Sequence, residues 1–189
     1  SLLSPDLRFG LISIRELYQR CQQAASSSRS LAVKRSVTVY LKELAWREFY
    51  MAVLHHWPEV LETDFNESFR NVPWESPDEL FEAWKQGLTG FPIVDAGMRQ
   101  LLATGWMHNR VRMITASFLI KNLLTDWRIG ESWFWDTLVD ADAASNPAGW
   151  QWVAGSGADA APYFRIFNPV KQGETFDPKG DSVPRFVSE

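Results

Sequence analysis

The chain has 189 residues, and its 19 basic and 23 acidic side chains give a formal net charge of −4. Hydrophobic residues make up 46% and charged residues 22%, a balance typical of a globular domain and not of a disordered chain. No apolar run approaches the roughly 20 residues of a membrane-spanning helix, and the single Cys21 excludes an internal disulfide or a cysteine-rich zinc site. Because the chain begins Ser-Leu-Leu-Ser without an initiator methionine, we expect one domain, residues 1–189, cut from a larger protein.

Tryptophan is the unusual component of the composition. Ten Trp, twelve Phe and four Tyr bring the aromatic fraction to 14%. These rings can simply fill the core, but each buried indole N–H also needs a hydrogen-bond partner. The excess therefore indicates a planar ligand, such as a base or a flavin. The negative net charge argues against non-specific nucleic-acid binding. It does not exclude DNA binding in a local basic groove.

Helical signals dominate the chain from its start. Ser13 and Glu16 have the spacing of a capping box and predict a helix to about residue 25. A long helix is predicted over 31–56, ending before Pro58. Capping residues, prolines and helical periodicity predict further helices over 76–87, 92–105, 108–124 and 131–139, with a turn or two after 147. The rest after residue 140 is predicted as ordered loop. No strand pairs joined by hairpin turns are evident, so the predicted fold class is all-α.

One face of the long helix carries chemistry. Tyr40, Glu43, Trp46, Arg47 and Tyr50 recur at steps of three and four, which places them on the same side. Large aromatic rings mixed with a carboxylate and a guanidinium make a poor core stripe, since an unpaired buried charge is costly. The alternative is a surface ion pair between Glu43 and Arg47 beside a buried Trp46.

The segment 105–113 is a second candidate. Asn109, Arg112 and Met113 share one face of the next helix, with Trp106 at its start, while Arg110 points towards solvent or a partner. A metal ion is not expected here, because no second or third ligand stands near the one histidine of this segment at metal spacing.

Asp140 and Asp142 form an Asp-x-Asp pair in a loop. Three interpretations stay open: a divalent metal site of the sugar-nucleotide transferase kind, loop capping, or an ion pair between one aspartate and a buried Arg112. Further on, Trp150 and Trp152 follow Asn146 and diverge by about 200° on a helix, so they face different surroundings. They are either core anchors or contacts to a cofactor and to a ligand.

Five sequence strings in this order resemble the helical FAD-binding domain of the photolyase/cryptochrome family: 43–50, 89–96, 104–116, 149–152 and 165–168. The resemblance runs from residue 1 to about 179 and is strongest to bacterial (class I) cyclobutane pyrimidine dimer photolyases. It implies a folded FAD, active in its reduced form, below a pocket that receives a flipped-out thymine dimer. It also implies a carbon–carbon lyase reaction driven by blue light. The antenna chromophore of the α/β domain that precedes this one in relatives is not identified.

The resemblance also implies roles for particular residues. The cofactor set is Ser1, Leu3, Ser4 and Arg47 at the flavin phosphates, and Tyr40, Trp106, Asn109, Arg112, Asp140, Asp142 and Asn146 along the flavin. Asn146 corresponds to the residue beside the reactive flavin nitrogen. The dimer pocket is Glu43, Trp46, Arg110, Met113 and Trp152, and Arg110 and Arg165 correspond to phosphate clamps. Trp74, Trp127 and Trp150 correspond to the tryptophan chain that carries electrons to oxidised flavin.

The expected partner is DNA that contains pyrimidine dimers, and we expect a monomer in the bacterial cytoplasm, associated with DNA. The main competing function is that of a cryptochrome-type light-signalling flavoprotein without repair activity. Asn146 argues against it, since plant-type members carry Asp at this position and animal-type members Cys. A helical DNA-binding domain that has lost FAD and a metal-dependent sugar-nucleotide transferase also stay open.

Overall fold

The structure, a computed structural model, describes residues 2–75, 78–160, 166–181 and 183–187. Two predicted site residues, Ser1 and Arg165, lie outside the described residues. The described parts form helices joined by turns and loops and contain no strand, which confirms the all-α prediction. By its internal contacts the chain divides into two compact units, 1–58 and 59–189, called unit 1 and unit 2 below.

Unit 1 holds three helices: α1 (Ser4–Arg8), α2 (Ile14–Ser27) and α3 (Leu31–His56). α2 packs against α3. α3 begins where the Ser30 hydroxyl accepts a hydrogen bond from the Val33 amide, and it has the predicted bounds. The helix predicted after Ser13 is present, but the Ser13 side chain makes no capping hydrogen bond, so the predicted capping box is wrong.

Unit 2 contains the remaining α-helices: α4 (Asp78–Lys85), α5 (Pro92–Thr104), α6 (Asn109–Lys121), α7 (Trp127–Thr137), α8 (Ser145–Ala154) and α9 (Pro169–Phe176). Short 3₁₀ helices lie at Pro58–Leu61, Glu67–Phe69 and Val183–Arg185. α6, α7 and α8 pack against one another, and α5 lies on the other side of α6. This arrangement sets the position of every site residue in unit 2.

Two of the predicted helix ends depend on glycine. Gly87 and Gly105 have φ angles of +65° and +66° and follow α4 and α5, as predicted. Where the bounds differ, local caps explain the difference. α7 begins at Trp127, four residues before the predicted start, because the Asp126 side chain accepts a hydrogen bond from the Arg128 amide.

Three other helices differ from their predicted extents. α6 ends at Lys121, three residues before the predicted end. α8 begins at Ser145 and is longer than the predicted turn or two. α9 falls in a stretch that was predicted as loop, although it has a local start signal: the Asn168 side chain accepts from the Lys171 amide, and Pro169 occupies the first turn.

The string 89–96 has a structural role. The Asp95 carboxylate is 5% exposed and accepts three hydrogen bonds, from the amide and hydroxyl of Thr89 at 2.8 and 2.6 Å and from the amide of Gly90 at 2.9 Å. These bonds fold the loop back onto the first turn of α5.

Aromatic rings form the centre of unit 2. Trp84 is fully buried, lies nearly parallel to Phe134 at a centroid distance of 5.9 Å, and donates its Nε1–H to the Thr115 carbonyl at 3.0 Å. Trp150 stands edge-on to Phe134 at 5.0 Å. Part of the tryptophan excess is therefore core packing. Within the part of the chain that the structure describes, no helix has the length and apolar character to cross a membrane.

Candidate functional site

A cavity in unit 2 opens between α6, α7, α8 and the loop that precedes α8. Its volume of about 130 Å³ is below the roughly 300–1,000 Å³ of a complete small-molecule site, so it suits part of a larger ligand. Its lining includes five residues that the resemblance assigns to the cofactor: Asn109, Arg112, Asp140, Asp142 and Asn146. The remaining lining residues are Met113, Ala116, Phe134, Leu138, Ala141, Ser145, Gly149, Trp150 and Val153.

An ion pair lies in the cavity wall. Nη2 of Arg112 donates to both carboxylate oxygens of Asp140, at 3.0 and 2.8 Å, and Nε donates to the Met107 carbonyl at 2.8 Å. The Asp140 side chain is 2% exposed and that of Arg112 is 24% exposed. Of the three interpretations of the Asp-x-Asp pair, the ion pair with Arg112 is therefore confirmed for Asp140. The partly exposed Arg112 guanidinium lines the cavity, where it can contact anionic or acceptor atoms of a ligand.

Asp142 has the capping role. Its Oδ1 accepts hydrogen bonds from the amides of Ala144 and Ser145, at 3.1 and 2.8 Å, where α8 begins. A carboxylate at this position also satisfies the positive end of the helix dipole. Both aspartates thus have partners within the protein. Among the described residues, no three His, Cys, Asp or Glu side chains come together in a way that could hold a metal ion.

Asn146 is oriented by a glutamate that the sequence analysis did not single out. Its side-chain amide donates to Oε1 of Glu131 at 2.8 Å and to the Glu131 carbonyl at 3.1 Å. Burial raises the pKa of Glu131 above its usual value of 4.5, the hydrogen bond from Asn146 lowers it, and the charge of Asp136 raises it. Because the nitrogen of the Asn146 amide is held by α7, its orientation at the cavity wall is set.

The remaining wall is mostly apolar. Phe134 and Trp150 contribute ring surface, and Gly149 contributes bare backbone. A Cβ atom added at Gly149 would meet nothing within 4 Å, so a planar group can approach the α8 backbone there. A cationic edge, a fixed amide and an open apolar surface fit the ring system of a flavin.

Several predicted site residues lie elsewhere in unit 2. Trp106 is half-buried before α6 and stands edge-on to His108 at 6.4 Å, and it is not among the residues that line the cavity. The guanidinium of Arg110 lies 4.7 Å from the ring centroid of Phe176 in α9; the prediction that it points to solvent or a partner is therefore incomplete. His108 caps α6, since its Nδ1 accepts from the Arg110 amide at 3.1 Å. Trp152 is half-buried on α8.

In unit 1, the predicted face of α3 includes exposed and half-buried side chains. Glu43 and Trp46 are exposed, Trp46 to 40%, and Trp46 stacks on Tyr50 at 5.8 Å. Nη1 of Arg47 pairs with Glu48 at 3.2 Å, so the alternative of a Glu43–Arg47 pair is wrong. Its Nη2 donates to the Leu7 carbonyl at 3.4 Å.

The contact with Leu7 joins Arg47 to α1. Leu3 directly precedes this helix, and Ser4 is its first residue. Arg47 thus contacts the short helix at whose start two other predicted phosphate-binding residues lie. Tyr40 and Glu43 lie nearer the start of α3, on a shallow depression shared with Ala32, Arg35, Ser36 and Val39.

The three predicted electron-carrying tryptophans lie in unit 2. Trp150 is 2% exposed and Trp127 is fully buried, while Trp74 is half-buried against the core. α7 presents Gly130 to the edge of the Trp150 ring, where an added Cβ would come within 2.2 Å of the ring. The glycine thus allows Trp150 to pack closely on the helix that begins with Trp127.

Sequence reasoning missed Glu131, Asp64 and Gln151. Gln151 is 2% exposed; its amide donates to the carbonyls of Val60 and Thr63, and its oxygen accepts from the Phe65 amide. A polar side chain between two tryptophans in the string 149–152 was a signal for such a buried network. For Glu131 and Asp64 the sequence contains no local signal, because their partners are distant along the chain.

An all-helical fold with a cavity that combines an arginine–aspartate pair, a fixed amide and aromatic rings is typical of domains that bind a planar, charged cofactor. Residues 40–189 match the family described as the FAD binding domain of DNA photolyase. The chain belongs to this family. The predicted family and cofactor, FAD, are thereby confirmed.

Curated relatives support the assignment. The chain is 57% identical over its full length to the deoxyribodipyrimidine photo-lyase of Agrobacterium fabrum and 48% identical to that of Halobacterium salinarum, and it spans 39% of each. It thus spans about two fifths of the length of these relatives.

Solved structures give the same fold. That of a bacterial class III photolyase from Agrobacterium tumefaciens is 56% identical, with a TM-score of 0.91 over 98% of this chain and 38% of its own. A cryptochrome from Synechocystis sp. PCC6803 is 39% identical, with a TM-score of 0.89 over the same shares. The resemblance to class I members in particular stays a prediction.

Proposed function

We propose that this chain is the FAD- and DNA-binding part of a light-driven deoxyribodipyrimidine photo-lyase, which splits cyclobutane pyrimidine dimers in DNA. The observation that carries the proposal is the cavity of unit 2, where the Arg112–Asp140 pair and the oriented amide of Asn146 meet an open apolar surface. The names of the curated relatives support the same activity.

Arg112, Asp140 and Asn146 would hold the flavin ring of FAD. Bound there in its reduced form, FAD would supply the light-driven one-electron chemistry that opens the two cyclobutane bonds of the dimer. Arg112 provides a cation beside the negatively charged ring, and Asp140 keeps this cation in position. Asn146 presents a polar group whose orientation Glu131 maintains. Leu3, Ser4 and Arg47, with Ser1, would hold the phosphates.

On the DNA side, we assign contacts with the dimer to Glu43 and Trp46 of unit 1 and to Met113 and Trp152 of unit 2. Indole rings stack on flipped-out bases, an interaction worth roughly 1–3 kcal/mol per base, and a damaged pair is the least costly to flip. Glu43 would contact the polar edge of the dimer. Arg110 and Arg165 would contact phosphates without reading sequence. Trp74, Trp127 and Trp150 would carry electrons to oxidised FAD.

The decisive experiment is repair of a thymine-dimer oligonucleotide by this protein with added FAD, under blue light and in the dark. We expect light-dependent repair in the wild type. Glu43→Ala and Trp46→Ala should weaken dimer binding or repair and leave the flavin spectrum unchanged. Trp135→Ala is a matched control, because Trp135 is 43% exposed, close to the 40% of Trp46, and lies on α7. A variant that loses flavin but keeps lesion affinity in a gel-shift assay would refute its place in the pocket.

The same measurements distinguish repair from the competing functions. Flavin photochemistry without repair would favour the cryptochrome-type function, although the solved cryptochrome is less similar to this chain than the solved photolyase, at 39% against 56% identity. A colourless protein that binds DNA would favour the domain that has lost FAD. Activity that is insensitive to chelation would exclude the transferase, which requires a divalent metal. That the protein is a cytoplasmic, DNA-associated monomer stays a prediction.

A further inference from the structure

A buried hydrogen bond joins Trp127 and Asp64 in unit 2. The Trp127 indole is fully buried, and its Nε1–H donates to Oδ1 of Asp64 at 3.0 Å. The Asp64 side chain is 2% exposed, and its Oδ2 accepts from Nη2 of Arg128 at 3.0 Å. The carboxylate is therefore held between an indole and a guanidinium.

A charged acceptor is not required to satisfy a buried indole. Trp84 is also fully buried, and its Nε1–H donates to the backbone carbonyl of Thr115 at the same 3.0 Å. Because removing a carboxylate from water costs free energy, the neutral acceptor is the less costly solution. The pairing of Trp127 with Asp64 thus needs a reason beyond hydrogen-bond satisfaction.

The cation nearest the Trp127 indole is paired with carboxylates. The Arg128 guanidinium lies 4.7 Å from the ring centroid and by itself disfavours positive charge on the ring. It is, however, paired with two carboxylates, Asp64 and Asp126, each at 3.0 Å. Arg128 is therefore shared between two carboxylates, and Asp64 is the one in direct contact with the indole N–H.

We propose that Asp64 is a positioning residue that makes Trp127 the most easily oxidised buried tryptophan of unit 2. This inference rests on the proposed function, in which Trp127 passes electrons from Trp74 to Trp150. In the step concerned, the Trp127 indole loses one electron and the oxidised Trp150 indole gains it, while the N–H proton stays in the hydrogen bond to Asp64. Trp127 then regains an electron from Trp74, which an external reductant such as a thiol refills.

The physical basis is electrostatic. The positive charge that appears on the Trp127 indole meets a carboxylate that is already in place and needs no reorganisation. In a buried site this attraction is screened far less than in water. At Trp84 the acceptor is a neutral carbonyl, so a positive charge on that indole would be stabilised much less.

The test compares Asp64→Asn with the wild type, both loaded with oxidised FAD. Asn keeps the shape of the side chain and an acceptor oxygen but removes the charge. We expect the initial rate of flavin photoreduction with a thiol to fall at least about tenfold, and repair after chemical reduction to be unchanged. Asp126→Asn is the matched control: it removes the other carboxylate of Arg128, leaves the Trp127–Asp64 bond in place, and should change the rate by less than about twofold.

Trp127→Phe distinguishes failure of this inference from failure of the electron chain. We expect Trp127→Phe to abolish photoreduction. If it photoreduces at the wild-type rate, the chain assignment is wrong and the inference falls with it. If Trp127→Phe is inactive but Asp64→Asn photoreduces normally, the inference alone is overturned.

Two further measurements keep the inference testable if Asp64→Asn does not fold or does not bind FAD. In FAD-free wild-type protein, the Trp127 indole N–H, identified by its loss in Trp127→Phe, should resonate downfield of that of Trp84; an upfield position contradicts a charged acceptor. In FAD-loaded Trp74→Phe, the oxidising equivalent is confined to Trp150 and Trp127. The tryptophan radical should then last at least about tenfold longer than in Trp127→Phe, and equal lifetimes would overturn the inference.

Discussion

Asp140 and Asp64 allow two regions of unit 2 to be compared. Each side chain is 2% exposed and pairs with an arginine that is partly exposed, Arg112 to 24% and Arg128 to 33%. Asp140 belongs to the wall of the cavity, so its arginine is available to a ligand. Asp64 lies in the core, where its other oxygen binds the indole of Trp127.

The comparison shows that one kind of ion pair serves two purposes according to what surrounds it. Beside the cavity, the carboxylate holds a cation for a ligand. Beside Trp127, the arginine holds a carboxylate for an indole. Breaking either pair should destabilise the protein, and only one of them should matter for binding the flavin.

Replacing each arginine by alanine tests this distinction and should produce the largest effects. Arg112→Ala leaves Asp140 buried without its cation, which we expect to cost about 3–5 kcal/mol and to weaken FAD binding by roughly tenfold to hundredfold. Arg128→Ala should also lower the free energy of unfolding, but it should leave FAD affinity unchanged within about twofold. Thermal unfolding and fluorescence titration with FAD measure the two quantities.

Arg20→Ala is the control for that pair of variants, because its ion pair with Glu16 is exposed. Exposed pairs of this kind contribute at most about 1 kcal/mol. Equal losses of FAD affinity in Arg112→Ala and Arg128→Ala would show that the two regions do not have separate roles.

Gly130 connects the two regions, since it lies on α7 against the Trp150 ring that lines the cavity. In Gly130→Ala the new Cβ would lie 2.2 and 2.5 Å from two Trp150 atoms and 2.6 Å from a Leu119 methyl. We expect a loss of about 1–3 kcal/mol from overpacking, with a slower photoreduction because Trp150 is displaced. Urea unfolding measures the loss of stability, and flavin bleaching under blue light measures the rate of photoreduction. A variant as stable as the wild type would contradict this packing.

Gly149, which lines the cavity, has room for a larger side chain where Gly130 has none. An alanine Cβ there meets nothing within 4 Å, and alanine in a helix is more favourable than glycine by roughly 0.5–1 kcal/mol. Gly149→Ala should therefore be slightly more stable in urea and yet bind FAD less well, because the methyl group enters the space of the cavity. A gain in stability without any loss of FAD affinity would remove Gly149 from the flavin site.

We expect the smallest effect from replacing Glu131, whose contribution to the free energy of unfolding depends on pH. Burial raises the pKa of Glu131, so the folded protein holds this proton more tightly than the unfolded chain does. The stability that the group contributes is present below its usual pKa of 4.5 and is lost as the pH rises through the raised pKa. Gln keeps an acceptor for Asn146 and does not titrate.

We therefore expect Glu131→Gln to match the wild type in stability near pH 4 and to exceed it near pH 8, as measured by urea unfolding at both pH values. Asp136→Asn serves as a comparison, since Asp136 acts on Glu131 only through its charge. A wild type more stable than Glu131→Gln near pH 8 would contradict the raised pKa.

Most helices were predictable because their signals are local. α3 was predicted with its observed bounds, and the glycine stops after α4 and α5 are those that the structure uses. The start of α7 and the whole of α9 also have local caps, at Asp126 and Asn168, which were overlooked among loop-like residues. The failed capping box at Ser13 shows the limit of such patterns, because spacing alone does not orient a hydroxyl.

By itself, the sequence determined the fold class, the family and most of the residues around the cavity. Helix caps, helical periodicity and the sequence strings that resemble the family can each be recognised within a few consecutive residues. The tertiary structure decided which charged groups meet. Arg112 and Asp140 are 28 positions apart, Asn146 and Glu131 are 15 apart, and Trp127 and Asp64 are 63 apart. Such contacts depend on the packing of α6, α7, α8 and the loop after the 3₁₀ helix Pro58–Leu61. No local pattern encodes that packing, so the partners of Glu131 and Trp127 emerged only in the folded protein.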